Sequence, residues 1–270
     1  MNIRNILITA GGNTEKIDAV RMIRNTGTGR LGALIAEKLL ARVADARVFY
    51  ICDRHAVAPR DGGATVIHAD DVTALEAAVR KVCAENRIDA VIHSMAVSDY
   101  RVKNVTTAAN AADAASGASG ASVASAASAA DAASGARAAK PLPNEALAER
   151  IAHAKDVREG GKISSDLDDV LVVLERAPKV ISLYRGLAPD AVIVGFKLLA
   201  DVGEDELIDV GYKLLKKNDC DYVLANDTRY LSRGGHVGHL IARDGSYATY
   251  DGKDAIAGAI AAAVGGGMVI

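Results

Sequence analysis

NILITAGGNTEKIDAVRMIRNTGTGRLGALIAEKLL, residues 5–40, is the stretch whose reading decides the fold. It opens on a short apolar run, Ile6 to Thr9, that ends at Gly11-Gly12. It closes on Leu31 to Leu40, where apolar residues recur at helical spacing. A buried strand broken by glycines and followed by an amphipathic helix begins a strand–helix–strand unit. Working outward, Arg47 to Cys52 supplies a strand, Val72 to Asn86 an amphipathic helix, and Asp89 to Met95 another strand. This alternation predicts an α/β fold built on a parallel sheet with right-handed crossovers.

The pattern resumes beyond Lys162. Asp166 to Arg176 reads as an irregular or short strand segment, and Pro178 to Leu187 as a helix with proline in its first turn. Ala191 to Phe196 is a strand. Glu204 to Lys217 is a helix with acids first and lysines last, which suits its dipole. Asp221 to Ala225 is a strand, and His239–Ala242 with Tyr247–Tyr250 flank an Asp-Gly turn as a C-terminal β-hairpin. Lys253 to Val264 closes as a helix. No interior linker separates two cores, so a single domain over 1–270 is expected.

One interval breaks the pattern. Residues 106–140 are almost all Ala, Ser, Gly, Asp and Thr, and ADAASGA occurs at both 112–118 and 130–136. So little apolar surface does not offset ordering entropy, so the expectation is a mobile low-complexity insertion, in which alanine could support transient helix. Asn144 to Arg158 follows as a short amphipathic helix.

Half of the 270 residues are hydrophobic, and 32 basic against 34 acidic residues leave a net charge of −2. That balance gives no global field for nucleic acid. No run of about 18 apolar residues offers a membrane span, and no signal-peptide pattern opens the chain. Cys52, Cys83 and Cys220 lack ligand spacing and read as reduced thiols of a cytoplasmic protein. The His236/His239 pair lies among glycines without acidic or thiol neighbours, so it reads as a turn rather than a metal site.

Gly27-Thr28-Gly29-Arg30-Leu31-Gly32 matches GxGxxG, with Asp53 at the end of the second strand. Read literally this is a dinucleotide fingerprint. In that fingerprint, however, the glycines follow the first strand directly. Here a polar loop containing Glu15, Asp18, Arg21 and Asn25 intervenes, and Tyr100 and Lys103 miss the Tyr-x-x-x-Lys spacing of a short-chain reductase by one residue. Close helix–sheet packing plus a backbone anion site explains the same glycines.

The blocks Thr9-Ala10-Gly11-Gly12-Asn13-Thr14-Glu15-Lys16-Ile17-Asp18, Val20-Arg21 and Asn25-Thr26-Gly27-Thr28-Gly29 with Gly32 resemble the opening of phosphopantothenoylcysteine synthetase. Ala96-Val97-Ser98-Asp99-Tyr100, Lys162-Ile163, Val194-Gly195-Phe196-Lys197 and Ala225-Asn226-Asp227 follow in that family's order. The resemblance implies a Rossmann-like sheet with flanking helices and a ligase of coenzyme A biosynthesis. Its substrates would be 4′-phosphopantothenate, L-cysteine and CTP with Mg²⁺, joined through an acyl-cytidylate. Because the ligase motif opens the sequence, the likeness is to the stand-alone form, and no flavin is expected. The family is usually dimeric, which implies a homodimer.

By resemblance, Asn25 contacts the acyl-cytidylate, Arg21 supports phosphate or the intermediate, and Lys162 meets the triphosphate. The alternatives are helix capping or a turn for Asn25, a salt bridge for Arg21 and a solvated surface for Lys162. Gly11 and Gly12 would, by the same resemblance, contact the nucleotide. His93-Ser94-Met95 and Asp99 match the nucleotide-contacting strand end, Pro178-Lys179-Val180-Ile181 a nucleotide-binding turn, and Phe196 an aromatic packed on the nucleotide. Ser164-Ser165 departs from the family's lysine-rich segment. Two nucleotide-binding lysines expected on the 204–217 helix fall at Leu214 and Asn218, one residue from Lys213 and Lys217. The interval from Asp99 to Lys162 corresponds to an active-site flap. The rival readings are an NAD(P)-dependent reductase and a noncatalytic nucleotide-sensing homologue.

Overall fold

The computed structural model describes residues 3–60, 62–116, 144–158, 161–232 and 235–266. Contacts gather the chain into two compact units, one formed by 1–15, 24–99 and 177–270, the other by 16–23 and 100–176.

The first unit is a doubly wound sheet. Its eight strands are β1 (Asn5–Ala10), β4 (Arg47–Cys52), β5 (Ala64–His68), β6 (Ala90–His93), β9 (Val192–Leu199), β10 (Tyr222–Asp227), β11 (Val237–Ala242) and β12 (Tyr247–Asp251). They lie in the order β12-β11-β10-β9-β6-β1-β4-β5. The six strands from β5 to β10 run parallel, and β11 and β12 are antiparallel. The expected α/β class and terminal hairpin are therefore present. From β1 the chain winds one way to β4 and β5, then crosses to β6, β9 and β10 on the other side. The β1–β6 boundary is thus the topological switch point, where open α/β sheets leave a crevice at their carboxyl ends.

Helices cover both faces. α1 (Arg30–Arg42) and α8 (Lys253–Val264) bury Ile35, Leu39, Ile256 and Ile260 with Ile6, Ile8 and Tyr50. On the other face, α2 (Val72–Glu85) and α6 (Glu204–Lys217) bury Leu75, Val79, Leu207 and Leu215 with Leu7, Ile51 and Ile193. Glu15 Oε1 accepts the Val72 amide at 3.2 Å, and Asp71 caps α2 by accepting the Ala74 amide at 2.7 Å. The expected helix over 178–187 is instead a 3₁₀ turn, Val180–Leu183, followed by the single turn α5 (Tyr184–Leu187). The five-residue α7 (Thr228–Ser232) follows β10.

The second unit takes two separated pieces of chain, which is why no linker marks it in sequence. The chain passes between units at two short strands, β2 (Thr14–Lys16) and β3 (Met22–Arg24). Its main element is an antiparallel ribbon of β7 (Tyr100–Thr107) and β8 (Val170–Arg176), flanked by α3 (Ala108–Ser116) and α4 (Asn144–Ala152). Residues 108–116 of the low-complexity tract form α3, the helix that their alanine content allows. Thr106 and Thr107 end β7, and alanine's helix propensity continues the chain as α3. The Thr107 hydroxyl accepts the Asn110 amide at 3.2 Å, and Ala111 is buried. The remainder of that tract, 117–140, lies outside the described residues.

Candidate active site

The switch-point turn is built from backbone contacts that only glycine permits. Gly11 has φ +92°, and a Cβ there would collide with the Asp53 carboxylate. A Cβ on Gly12 would collide with the Asn25 carbonyl, and one on Gly27 would lie 2.6 Å from the Gly11 oxygen. Gly32 carries α1 against the sheet, where a Cβ would sit 2.6 Å from Ala10 Cβ and 2.8 Å from Ser94 Oγ. The GxGxxG pattern thus records close packing of helix and loop on the ends of β1 and β6.

Asp53 is committed to the same loop. Its Oδ2 accepts the Gly12 amide at 2.9 Å, and its Oδ1 accepts the His55 amide and the Arg24 guanidinium, each at 2.9 Å. The side chain is 1% exposed. A carboxylate so occupied is not poised to bind a ribose hydroxyl, which removes the main support for nicotinamide binding.

Asn25 sits beside this turn. Its amide N–H bonds the Asn13 carbonyl at 3.0 Å, and its side-chain Nδ2 donates to the Ala96 carbonyl at 2.8 Å. The α1 N-cap is Gly29, so Asn25 does not cap that helix. With Nδ2 fixed, Oδ1 has no bonding partner among the described residues. The strand end across from it is pinned too: Ala96 N bonds Gly11 O at 2.9 Å, and Ser98 N bonds Asn13 Oδ1 at 3.2 Å.

His93 closes β6 almost wholly buried, and desolvation lowers its pKa to about 4. The Ser94 hydroxyl donates to Thr9 O at 2.7 Å, and Met95 is core. Asp99 and Lys179 form an ion pair, both largely exposed. Pro178 is exposed, Val180 is buried, and Ile181 and Phe196 are half-buried against the two cores. Lys213 and Lys217 share the outer face of α6, and Lys213 bonds Asp209 at 2.6 Å. Leu214 is half-buried, and buried Asn218 donates back to the Leu214 carbonyl at 2.9 Å.

Arg21 and Lys162 belong to the second unit, where Asp18 ties Arg21 to Ile163, the neighbour of Lys162. Asp18 Oδ1 accepts the Val20 and Arg21 amides at 2.8 and 2.7 Å. Its Oδ2 accepts Arg21 Nη1 at 2.7 Å and the Ile163 amide at 3.1 Å. Burial pushes the Asp18 carboxyl up, but the Val20, Ile163 and Arg21 amides and the Arg21 charge outweigh it and bring it down to about 2. Lys162, next to the anchored Ile163, is exposed. Ser164 Oγ accepts the Asp166 amide at 3.2 Å, a local turn.

No cluster of three or more His, Cys, Asp or Glu suited to a metal occurs among the described residues. His239 instead bonds Thr249 at 2.9 Å. The described cysteines are free thiols. No helix among the described residues is long and apolar enough to cross a membrane.

The strand order and the turn after β1 define a doubly wound α/β protein with polar residues gathered at its switch point. Residues 1–111 match the family model described as DNA/pantothenate metabolism flavoprotein C-terminal domain. The resemblance to phosphopantothenoylcysteine synthetase read from the sequence is thereby upheld, since that domain is the synthetase region of CoaBC proteins. A coenzyme A biosynthesis bifunctional protein CoaBC from Thermococcus kodakarensis is 25% identical over 241 residues, 89% of this chain and 45% of the relative. The Mycobacterium bovis CoaBC is 35% identical over 105 residues, 39% of this chain and 24% of the relative. The chain therefore spans less than half the length of these curated relatives. Among solved structures, the DNA/pantothenate metabolism flavoprotein from Streptococcus pneumoniae superposes with TM-score 0.75 at 29% identity, covering 97% of this chain and 99% of that one. A Cab2 mutant complexed with phosphopantothenate-cysteine shares the fold, with TM-score 0.62 at 17% identity, covering 97% and 85%.

Proposed function

We propose that this protein is a ligase of coenzyme A biosynthesis that joins 4′-phosphopantothenate to L-cysteine, converting CTP to CMP and pyrophosphate. The observation that carries the reading is the switch-point turn. There the residues shared with the synthetase, Gly11, Gly12 and Asn25, are locked together, and Asn25 presents an uncommitted carbonyl oxygen. The substrate carboxylate attacks the α-phosphorus of CTP and expels pyrophosphate. The cysteine amine then attacks the acyl carbon of the acyl-cytidylate, and CMP leaves as the amide forms. Such chemistry depends on positioning and charge stabilisation rather than on a protein nucleophile.

In this reading the amides at the start of α1, where Gly29 provides no side-chain cap, cradle phosphate. His93, Ser94 and the Pro178–Ile181 turn hold the nucleotide, with Phe196, Lys213 and Lys217 contributing. Arg21 and Lys162 supply cationic donors, and Asn25 orients the acyl-cytidylate. Mg²⁺ enters with the triphosphate, and flavin has no part. The protein acts in the cytoplasm, on small molecules rather than nucleic acid. It acts as a homodimer, for which exposed Val170, Leu171 and Leu174 offer apolar surface.

A pyrophosphate-release assay with phosphopantothenate, cysteine and each of the four nucleoside triphosphates tests the proposal. CTP should support pyrophosphate release and product formation. Absence of release with every nucleotide, together with saturable NADPH binding, would point to the reductase. Nucleotide binding without release would point to a sensing homologue.

A further inference from the structure

Beneath the switch point lies a buried polar cluster of which the proposed function uses only His93. His93 Nδ1 lies 2.8 Å from the Thr9 hydroxyl and 2.9 Å from the Tyr184 hydroxyl. The His93 and Tyr184 rings meet edge to face, with centroids 5.2 Å apart. Thr9 and Tyr184 are completely buried, and His93 retains 7% exposure. Two hydroxyls, from β1 and α5, therefore converge on one ring nitrogen at the end of β6.

Proton counting fixes the state of that nitrogen. Each hydroxyl brings one proton and needs one acceptor, and among the described residues Nδ1 is the side-chain partner of both. A bare Nδ1 presents its lone pair to the two hydroxyl protons. A protonated Nδ1 would take that acceptor away from both. An unsatisfied buried donor costs on the order of a hydrogen bond or more. The proton of the neutral ring is therefore driven to Nε2. That nitrogen has no bonding partner among the described residues.

We propose that Thr9 and Tyr184 are positioning residues that hold His93 as the Nε2–H tautomer, so that it donates one fixed, uncharged hydrogen bond to an oxygen of the bound nucleotide. The nucleotide part rests on the reading of the switch point as a nucleotide site. Burial favours the neutral ring, and it pushes the Tyr184 phenol far above its ordinary value, so Tyr184 remains a donor. A neutral donor suits an oxygen whose charge is already met by cations, and it fixes geometry without adding charge.

Two-bond ¹H–¹⁵N spectra of ¹⁵N-histidine-labelled protein test the proposal, with His93 assigned from the signal lost in His93→Gln. The ligand-free protein should show His93 as the Nε2–H tautomer from about pH 5.5 to 8, and CTP with Mg²⁺ should shift its Nε2 signal. Thr9→Val should mix the tautomers and raise the KM for CTP about tenfold, the effect of losing one oriented hydrogen bond, with kcat little changed. Thr9→Ser should restore both. His93→Gln, which keeps an N–H at similar reach, should bind CTP better than His93→Ala. A Nδ1–H tautomer, an imidazolium at neutral pH, or a Nε2 signal indifferent to CTP would overturn the inference. If Thr9→Val fails to fold, the wild-type spectra and the Gln–Ala comparison still decide. Should no nucleotide release pyrophosphate, the ligase reading fails, while the tautomer and the CTP-induced shift judge this inference separately.

Discussion

The Asp53 carboxylate accepts the Gly12 amide at 2.9 Å and thereby fastens the end of the second strand to the turn that follows the first. Its other oxygen takes the Arg24 guanidinium and the His55 amide. Asp53→Ala should therefore act as a stability mutation. It leaves two amides and a guanidinium without their acceptor, which should cost ~2–4 kcal/mol in urea unfolding. NADPH should not shift the melting temperature of the wild-type protein. A variant as stable as wild type, or a clear NADPH-induced shift, would return Asp53 to a ligand-binding role.

Gly12→Ala should damage the site more than the fold. The added methyl meets the Asn25 carbonyl, so the Asn25 loop must retreat from the turn. Overpacking of this kind costs ~1–3 kcal/mol, yet pyrophosphate release should fall by about 10²-fold because the Asn25 side chain loses its register. Equal activity per folded molecule would show that the Gly12–Asn25 contact is only structural.

Asn25→Ala and Lys162→Ala should separate the two half-reactions. Without Asn25, some pyrophosphate should still form while acyl-cytidylate accumulates, as seen by mass spectrometry. Lys162 is exposed, so its removal should leave the melting temperature nearly unchanged and slow activation by about 10²-fold. A fully active Lys162→Ala protein would remove that residue from the site.

Asp18 sets an acid-dependent part of stability. Its folded pKa of about 2 lies below the ordinary 3.8. A depressed carboxylate stabilises the fold above the ordinary value, and that contribution is lost as pH falls from about 4 towards 2. Melting curves of Asp18→Asn should therefore fall less steeply than wild type across that interval. The slope should not vanish, because the Asp227 carboxyl is also held low, chiefly by the Val202 amide. Parallel curves would exclude Asp18 from the acid response.

Much of this architecture is legible in sequence where one face of an element is buried. Glu204–Lys217 carries clear helical periodicity, Arg47–Cys52 a continuous run of β-branched and aromatic residues, and both, with Lys253–Val264, appear with the expected bounds. Ala64–His68 was not legible, because this edge strand is nowhere fully buried and has no apolar face to mark it. The ribbon partner Tyr100–Thr107 is hidden by Arg101, Lys103 and Asn104, polar residues that the sequence pattern does not set facing a core. The motif residues themselves stand out from spacing, but their partners do not. Nothing in the sequence indicates that Asp53 answers Gly12, or that Asp18 ties Arg21 to Ile163, because those contacts span 41 and 145 positions.

The order of the strands also bears on synthesis. β6 pairs with β9 through Ala90 and Val192, so the second strand of that pair emerges 192 − 90 = 102 residues after the first. As the chain leaves the ribosome, β1, β4, β5 and β6 can already assemble, but the outer edge of β6 stays open until the whole intervening segment has been made. At about 5–20 residues per second that wait lasts roughly 5–20 seconds. An apolar, unpaired strand edge is a template for wrong partners. Yield in cells should accordingly depend on elongation rate and chaperone supply more steeply than the finished protein's stability alone implies.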